Sequence, residues 1–215
     1  MNKKKVLLLG KLPPPYMGPA IATAIILNSS LQDKFQLIFL NTKANDSINT
    51  LGKWSLRKVF KNFSLYSKLV RLILKNKPDL ILIPISQTTD GFLKDSFYIL
   101  IALLFRKKVL LQLRGSDFKN WLSASSGFVR WYVKFILKKS RGIIVLGNKL
   151  KYLFEDYFSE KYIFVVPNGA NYNIPERKEN SQEVKIIYLS NLLASKGIED
   201  VFAAIKILQS NVSRA

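Results

Sequence analysis

The chain contains no cysteine and no histidine. Without cysteine there is no disulfide framework, no thiolate nucleophile and no thiolate-held metal, which fits a reducing compartment. Without histidine, no serine–histidine dyad, imidazole base or histidine metal site can be built from this polypeptide. Acidic residues are scarce, 14 against 34 Lys and Arg, for a net charge of +20. Long apolar runs are lacking as well. FYILIALLF at 97–105 is the longest, and its nine residues are about half of what spans a bilayer. No transmembrane helix is expected. The opening MNKKK looks like a signal n-region, but the apolar VLLLG is too short for a secretory core and prolines follow at once. A lysine-flanked first strand is the expectation there.

The charge is unevenly spread. Residues 1–154 hold 27 basic and 6 acidic residues, whereas 155–215 hold 7 and 8. The basic field therefore belongs to the first part of the chain. Such a field attracts phosphorylated ligands, anionic lipid or nucleic acid, and it says nothing about fold.

What is present is a regular alternation. Seven apolar runs, at 5–10, 35–41, 79–84, 108–114, 142–147, 162–168 and 184–190, are continuous rather than alternating in polarity. Strands read this way when helices cover both sheet faces. Helical patterns fall between them near 19–31, 54–76, 92–105, 127–139, 147–157 and 197–210. The alternation predicts an α/β fold with a Rossmann-like, doubly wound parallel sheet. With 215 residues there is room for one full α/β domain and part of a second. The polar, aperiodic stretch 170–183 reads as a linker. The expected organisation is a first domain over 1–169, that linker, and a single βα unit over 184–215. One such unit cannot bury its own apolar faces, so the second domain is expected to be incomplete within this chain.

Four stretches carry possible chemistry. In GKLPPPYMGP (10–19) a proline-stiffened loop leads to Gly18 and to Pro19 at a helix start. The loop suits an anion beside a helix N-terminus, or is an ordinary βα connection. It lacks the GxGxxG spacing of a dinucleotide site. In LQLRGSDF (111–118), Arg114 is a candidate for holding a phosphate or carboxylate and Asp117 for accepting a hydroxyl proton or orienting a sugar hydroxyl. Equally, Ser116 or Asp117 caps the next helix. In YLSNLLASKG (188–197), Lys196 and Gly197 stand before a helix, where a cation asks for an anionic ligand; a solvated lysine in a turn is the plainer reading. The fourth is the helix over 54–77. Leu56, Val59, Phe63, Tyr66, Val70 and Ile73 keep three/four spacing. Lys53, Arg57, Lys61, Lys68, Arg71 and Lys75 fall opposite. This is either a core helix with a solvated basic side or a plate for anionic lipid, worth roughly 1 kcal/mol per nearby cation. FVRWYVKFILKKSR (128–141) adds a second basic-aromatic helix to that surface.

Three passages, in order, carry a resemblance: KVLLLGKLPPPYMG; then VLLQLRGSDF; then GIIVLGNKLKYLFEDYF…YIFVVPNGANYN running into VKIIYLSNLLASKGIEDVFAAIKIL. Together they resemble the GT-B glycosyltransferases, in particular the retaining family 4. The resemblance implies two Rossmann-like lobes with a nucleotide-sugar donor between them. The first lobe would serve a glycan or lipid-linked acceptor in bacterial surface polysaccharide synthesis. It implies that Gly18 faces the donor diphosphate and that Lys196 matches a diphosphate-holding lysine. Asn191 stands where the family carries arginine, and Gly18 where it usually has paired glycines. Asn168 and Gly169 match the family's crossover turn. Leaving-group stabilisation by cations and helix dipoles implies no metal and no cofactor beyond the nucleotide-sugar co-substrate. Much of the family's donor pocket has no counterpart here, so the expectation is a truncated form, weak or inactive alone. Alternatives are a non-catalytic acceptor-side subunit working with a separately encoded C-terminal half, a remnant, or a basic module for anions or membrane surfaces. A cytoplasmic location, peripheral to the inner membrane face, is expected, and nucleic acid is not an expected partner.

Overall fold

The computed structural model describes residues 3–14, 16–43, 56–169, 186–190 and 197–212. The chain divides into two compact units, 1–171 and 172–215.

The first unit is one open sheet of six parallel strands: β1 (Lys4–Gly10), β2 (Phe35–Asn41), β3 (Leu80–Ile85), β4 (Lys108–Leu113), β5 (Gly142–Val145) and β6 (Ile163–Val165). Their order across the sheet is β2-β1-β3-β4-β5-β6. Each strand is a short Leu/Ile/Val-rich run, as expected where helices lie on the sheet. Leu7, Ile81, Leu111 and Ile143, one from each of four neighbouring strands, are all fully buried. The expected Rossmann-like α/β sheet is therefore present.

The helices of this unit are α1 (Gly18–Leu27), the single turn α2 (Leu31–Lys34), α3 (Leu56–Asn76), α4 (Thr89–Leu104), α5 (Phe118–Ala124) and α6 (Gly127–Lys139). α4 packs against both α3 and α6. Tyr66 of α3 meets the Tyr98 ring of α4 edge-on at 4.7 Å, and Ser96 of α4 lies 2.8 Å from the Tyr132 hydroxyl of α6. The α4 terminus shows how a helix is stopped without glycine. Arg106 adopts φ 53°, its N–H bonds the Leu103 carbonyl at 2.8 Å, and Lys107 N–H bonds the Ala102 carbonyl at 2.9 Å. That pair of bonds is a Schellman closure. Lys77, at φ 48°, ends α3 in the same left-handed way, and Pro78 follows.

Four expectations are corrected. The helix expected at 19–31 stops at Leu27, where Asn28 N–H closes on the Ala24 carbonyl and a fresh turn begins at Leu31. The pattern at 147–157 forms a 3-10 helix over Asn148–Leu153 rather than an α-helix. On α3 the buried row is Leu65, Leu69 and Ile73, and Phe63 is exposed. Ile73 of the expected row is buried and Tyr66 packs on α4, while Leu65 and Leu69, outside that row, complete the buried side. Finally, Ile186–Ser190, expected as part of a strand, are not in a strand.

The second unit holds α7 (Ile198–Val212), which starts favourably with Glu199 and Asp200 in its first turn. Gly197 precedes it at φ 75°, a left-handed conformation open to glycine. Ile187 and Leu189 are 83% and 95% exposed. A strand needs a ladder partner, and one βα segment has none among its own residues. The stretch 170–183, read as a linker, lies outside the described residues.

Candidate functional site

The sheet order creates a topological switch point. From β1 the chain moves outward to β2, then crosses back to β3 on the other side of β1. This reversal makes a switch point between β1 and β3. In open α/β sheets ligands bind outside the carboxyl ends of the strands at such a point. The strand ends there lead directly into Lys11 after β1, Ser86 and Gln87 after β3, and Arg114 after β4.

A charged cluster occupies the β1/β3 edge. Asp95, on α4, is buried, with one carboxylate oxygen accepting both the Ser86 N–H at 2.9 Å and the Ser86 hydroxyl at 2.7 Å. Its other oxygen pairs with the Lys94 ammonium at 3.2 Å. A carboxylate buried in this way is held by its hydrogen bonds and its cation. Lys11 joins the cluster. Its pKa is lowered, first by desolvation and then by repulsion from Lys94, with Asp95 pulling the other way. More than a third of Lys11 remains open to solvent. The Lys94 ammonium and the two Ser86 donors thus engage one carboxylate, and Lys11, the residue that follows β1, feels the charges of both Lys94 and Asp95. The local excess is positive, a setting that favours an anion.

Arg114 sits differently from a free anion hook. Its guanidinium donates to the Pro19 carbonyl, to Thr23 Oγ1 at 3.1 Å and to Gln112 Oε1 at 3.1 Å. Its Nε is buried with no hydrogen-bond partner among the described residues. Desolvation lowers its pKa. Arg114 thus ties the end of β4 to the first turn of α1, and brings the sequence-predicted Arg114 and the Gly18–Pro19 loop together. Thr23 is itself buried and donates to the Pro19 carbonyl at 2.8 Å. Gly10 makes this approach possible, since a Cβ there would lie 2.8 Å from Thr23 Cγ2.

Asp117 is the N-cap residue of α5, exposed, and makes no side-chain bond to the helix backbone. Its carboxylate accepts the Asn120 amide at 2.8 Å, and its own N–H donates to Gln87 Oε1 at 3.1 Å. The capping position is right; the side chain is left facing outward. Gly18 is exposed at the start of α1. Asn191 and Lys196 lie outside the described residues, and Gly197 belongs to the second unit.

No protein-family profile and no curated protein matches the sequence. Solved structures do match. A protein assigned as a UDP-N-acetylglucosamine 2-epimerase from Listeria monocytogenes aligns with a TM-score of 0.52 at 12% identity, over 77% of this chain and 45% of that one. The fold is shared. It is a Rossmann-like α/β lobe of the GT-B type. The UDP complex of S. aureus MnaA aligns at a TM-score of 0.45 and 12% identity, over 75% of this chain and 43% of that one. Acinetobacter baumannii MurG aligns at 0.38 and 13%, over 79% and 47%. The chain spans less than half the length of each of these structures.

Sequence reasoning missed Lys11, Ser86, Lys94 and Asp95 as a group. One signal was available: Lys94, Asp95 and Ser96 form a polar triplet inside the helical pattern at 92–105, and a carboxylate that such a helix buries needs partners. Nothing in the sequence says that the partner is Ser86. The described residues contain no cluster of three or more acidic side chains able to hold a metal.

Proposed function

We propose that this chain is the acceptor-side lobe of a nucleotide-sugar-dependent glycosyltransferase of family-4 type, retaining in outcome, with a glycan or lipid-linked acceptor in surface polysaccharide synthesis. The observation that carries the reading is the cationic cluster of Lys11 and Lys94 beside buried Asp95 at the β1/β3 switch point of a GT-B-type lobe. On this reading the cluster receives the phosphate or another anionic group of the acceptor or donor, and Asp95 fixes the Lys94 ammonium in place. Asp117, exposed and outward-facing, is the candidate proton acceptor or hydroxyl-orienting group. Arg114 shapes the site by holding the Gly18–Pro19 loop. Asn191, Lys196 and Gly197 would serve the donor diphosphate, as the family resemblance implies. The nucleotide diphosphate leaves by charge stabilisation, with the nucleotide sugar as co-substrate. The remainder of a donor-binding domain would come from a longer polypeptide or from a separate chain.

The test is release of nucleoside diphosphate from a panel of nucleotide sugars, with and without a bacterial lipid extract, alongside calorimetric titration of the same sugars. Binding and slow release, lowered tenfold or more in Lys11→Gln and in Lys196→Ala, are expected. A chain that binds none of the nucleotide sugars and releases no diphosphate overturns the enzymatic reading and leaves a non-catalytic subunit.

A further inference from the structure

The outward side of α6 is unusual. Val133, Ile136 and Leu137 are fully buried and fasten the helix to the core. Opposite them, Phe128, Trp131 and Phe135 recur at three- and four-residue spacing and are 71%, 60% and 41% exposed. Their rings touch in sequence: Phe128 to Trp131 at 5.8 Å, and Trp131 to Phe135 at 6.0 Å, the latter pair stacked within 17°. At 100° per residue Trp131 points directly away from the core, with Lys134 and Lys138 to one side and Lys139 to the other. Lys139 lies 5.7 Å from the Phe135 ring centre, within cation–π range. From residue 118 to residue 154 there are eight Lys and Arg and no Asp or Glu. No described helix is long and apolar enough to cross a membrane.

We infer that the Phe128–Trp131–Phe135 ridge of α6 is an interfacial anchor that seats the first unit on an anionic bilayer. Aromatic side chains with a polar edge settle at the headgroup level, and flanking lysines meet the negative surface potential of the leaflet. A helix with one buried apolar side and an aromatic, cation-flanked opposite side lies in the interface plane. Charge complementarity selects this occupant over an uncharged apolar partner, because three lysines of α6 (Lys134, Lys138, Lys139) flank the ridge and would be brought to the same surface. It is favoured over nucleic acid because the sequence carries no recognised nucleic-acid-binding motif and the ridge is the outward side of a single helix rather than a groove that tracks a strand. The inference stands on α6 alone and is independent of the sugar-transfer reading.

The experiment is co-sedimentation of the full chain with large vesicles of phosphatidylcholine containing 30% phosphatidylglycerol, against pure phosphatidylcholine, at 0.1 and 0.5 M salt. Tight binding to the anionic vesicles, at least tenfold weaker on pure phosphatidylcholine and weaker at high salt, is expected. Phe128→Ser/Trp131→Ser/Phe135→Ser should lose binding at least tenfold with an unchanged far-ultraviolet circular dichroism spectrum. Lys134→Glu/Lys138→Glu, which leaves the rings intact, should do the same and decides the matter if the triple variant does not fold. Absence of vesicle binding by the parent chain, equal binding to both vesicle types, or variants that bind like the parent would overturn the inference. So would a single-stranded RNA probe that binds the parent chain, is released by these substitutions, and finds no vesicle competing with it.

Discussion

Arg114 at the end of β4 donates a 3.1 Å hydrogen bond to Thr23 in the first turns of α1, ninety-one residues earlier in the chain. The same guanidinium reaches the Pro19 carbonyl and Gln112. This contact joins two loops that would otherwise be independent, and it makes a stability forecast. Arg114→Ala should destabilise the first unit by about 1.5–3 kcal/mol, the range for hydrogen bonds to a charged group. A lower urea midpoint with unchanged slope would register it. If Arg114 instead acted only on a ligand, the midpoint would not move.

The Gly10–Thr23 approach allows a second test on the same joint. Gly10→Ala places a Cβ 2.8 Å from Thr23 Cγ2 and should cost about 1–3 kcal/mol by overpacking. Adding Thr23→Ala removes the obstructing atoms. The double variant should therefore be less destabilised than the sum of the two single variants, a coupling read from a double-mutant cycle in urea.

Asp95 should be sensitive to size as well as charge. Asp95→Ala leaves the Ser86 N–H and hydroxyl without their acceptor and should cost about 1–3 kcal/mol. Asp95→Asn keeps one acceptor oxygen and should cost less. A reversed ranking in thermal unfolding would mean that Ser86 is satisfied elsewhere.

Tyr66 and Tyr98 provide a pH signature. Burial, first, and then the Asp95 charge push Tyr66 up to about 12; burial, then Tyr66 and Asp95, push Tyr98 higher still. The folded state holds these protons more tightly than the unfolded chain, whose tyrosines titrate near 10. The stabilisation is complete below pH 10 and is lost as pH rises through 12. Phenolate absorbance should show a late-titrating class among the nine tyrosines, and Tyr66→Phe should remove one member from it. A single transition near pH 10 in the native protein would contradict this.

The α4 terminus offers a gain rather than a loss. Arg106 pays a left-handed penalty at φ 53° that glycine would avoid. Arg106→Gly should stabilise by about 0.5–1 kcal/mol after the added freedom of the unfolded chain is counted. Equal or lower melting temperature would indicate that the Arg106 side chain compensates.

Much of the frame was legible beforehand. Leu, Ile and Val runs of strand length, separated by helical spacing, gave six of the seven expected strands, because a buried parallel strand tolerates little else. The seventh, around Ile186–Ser190, failed for a non-local reason: apolar character makes a strand only where another strand accepts its ladder. α5 is signalled only by its capping position at Asp117: seven residues, FKNWLSA, are too few for a periodic signal, and the helix is secured by Phe118 and Leu122 entering the core.

The sequence by itself determined the alternation of strand and helix, the parallel sheet, the basic first part, and the exclusion of thiol and imidazole chemistry, since these follow from composition and spacing. Tertiary structure alone decided that Arg114 spends its donors on Pro19, Thr23 and Gln112, that Asp95 answers Ser86 while Lys11 and Lys94 gather beside it, and that Trp131 faces away from the core. The contacts that build the site join residues from different strands, helices and loops at a sheet edge. Hydrogen-bond partners and ring exposure are properties of that meeting, so no local pattern could encode them.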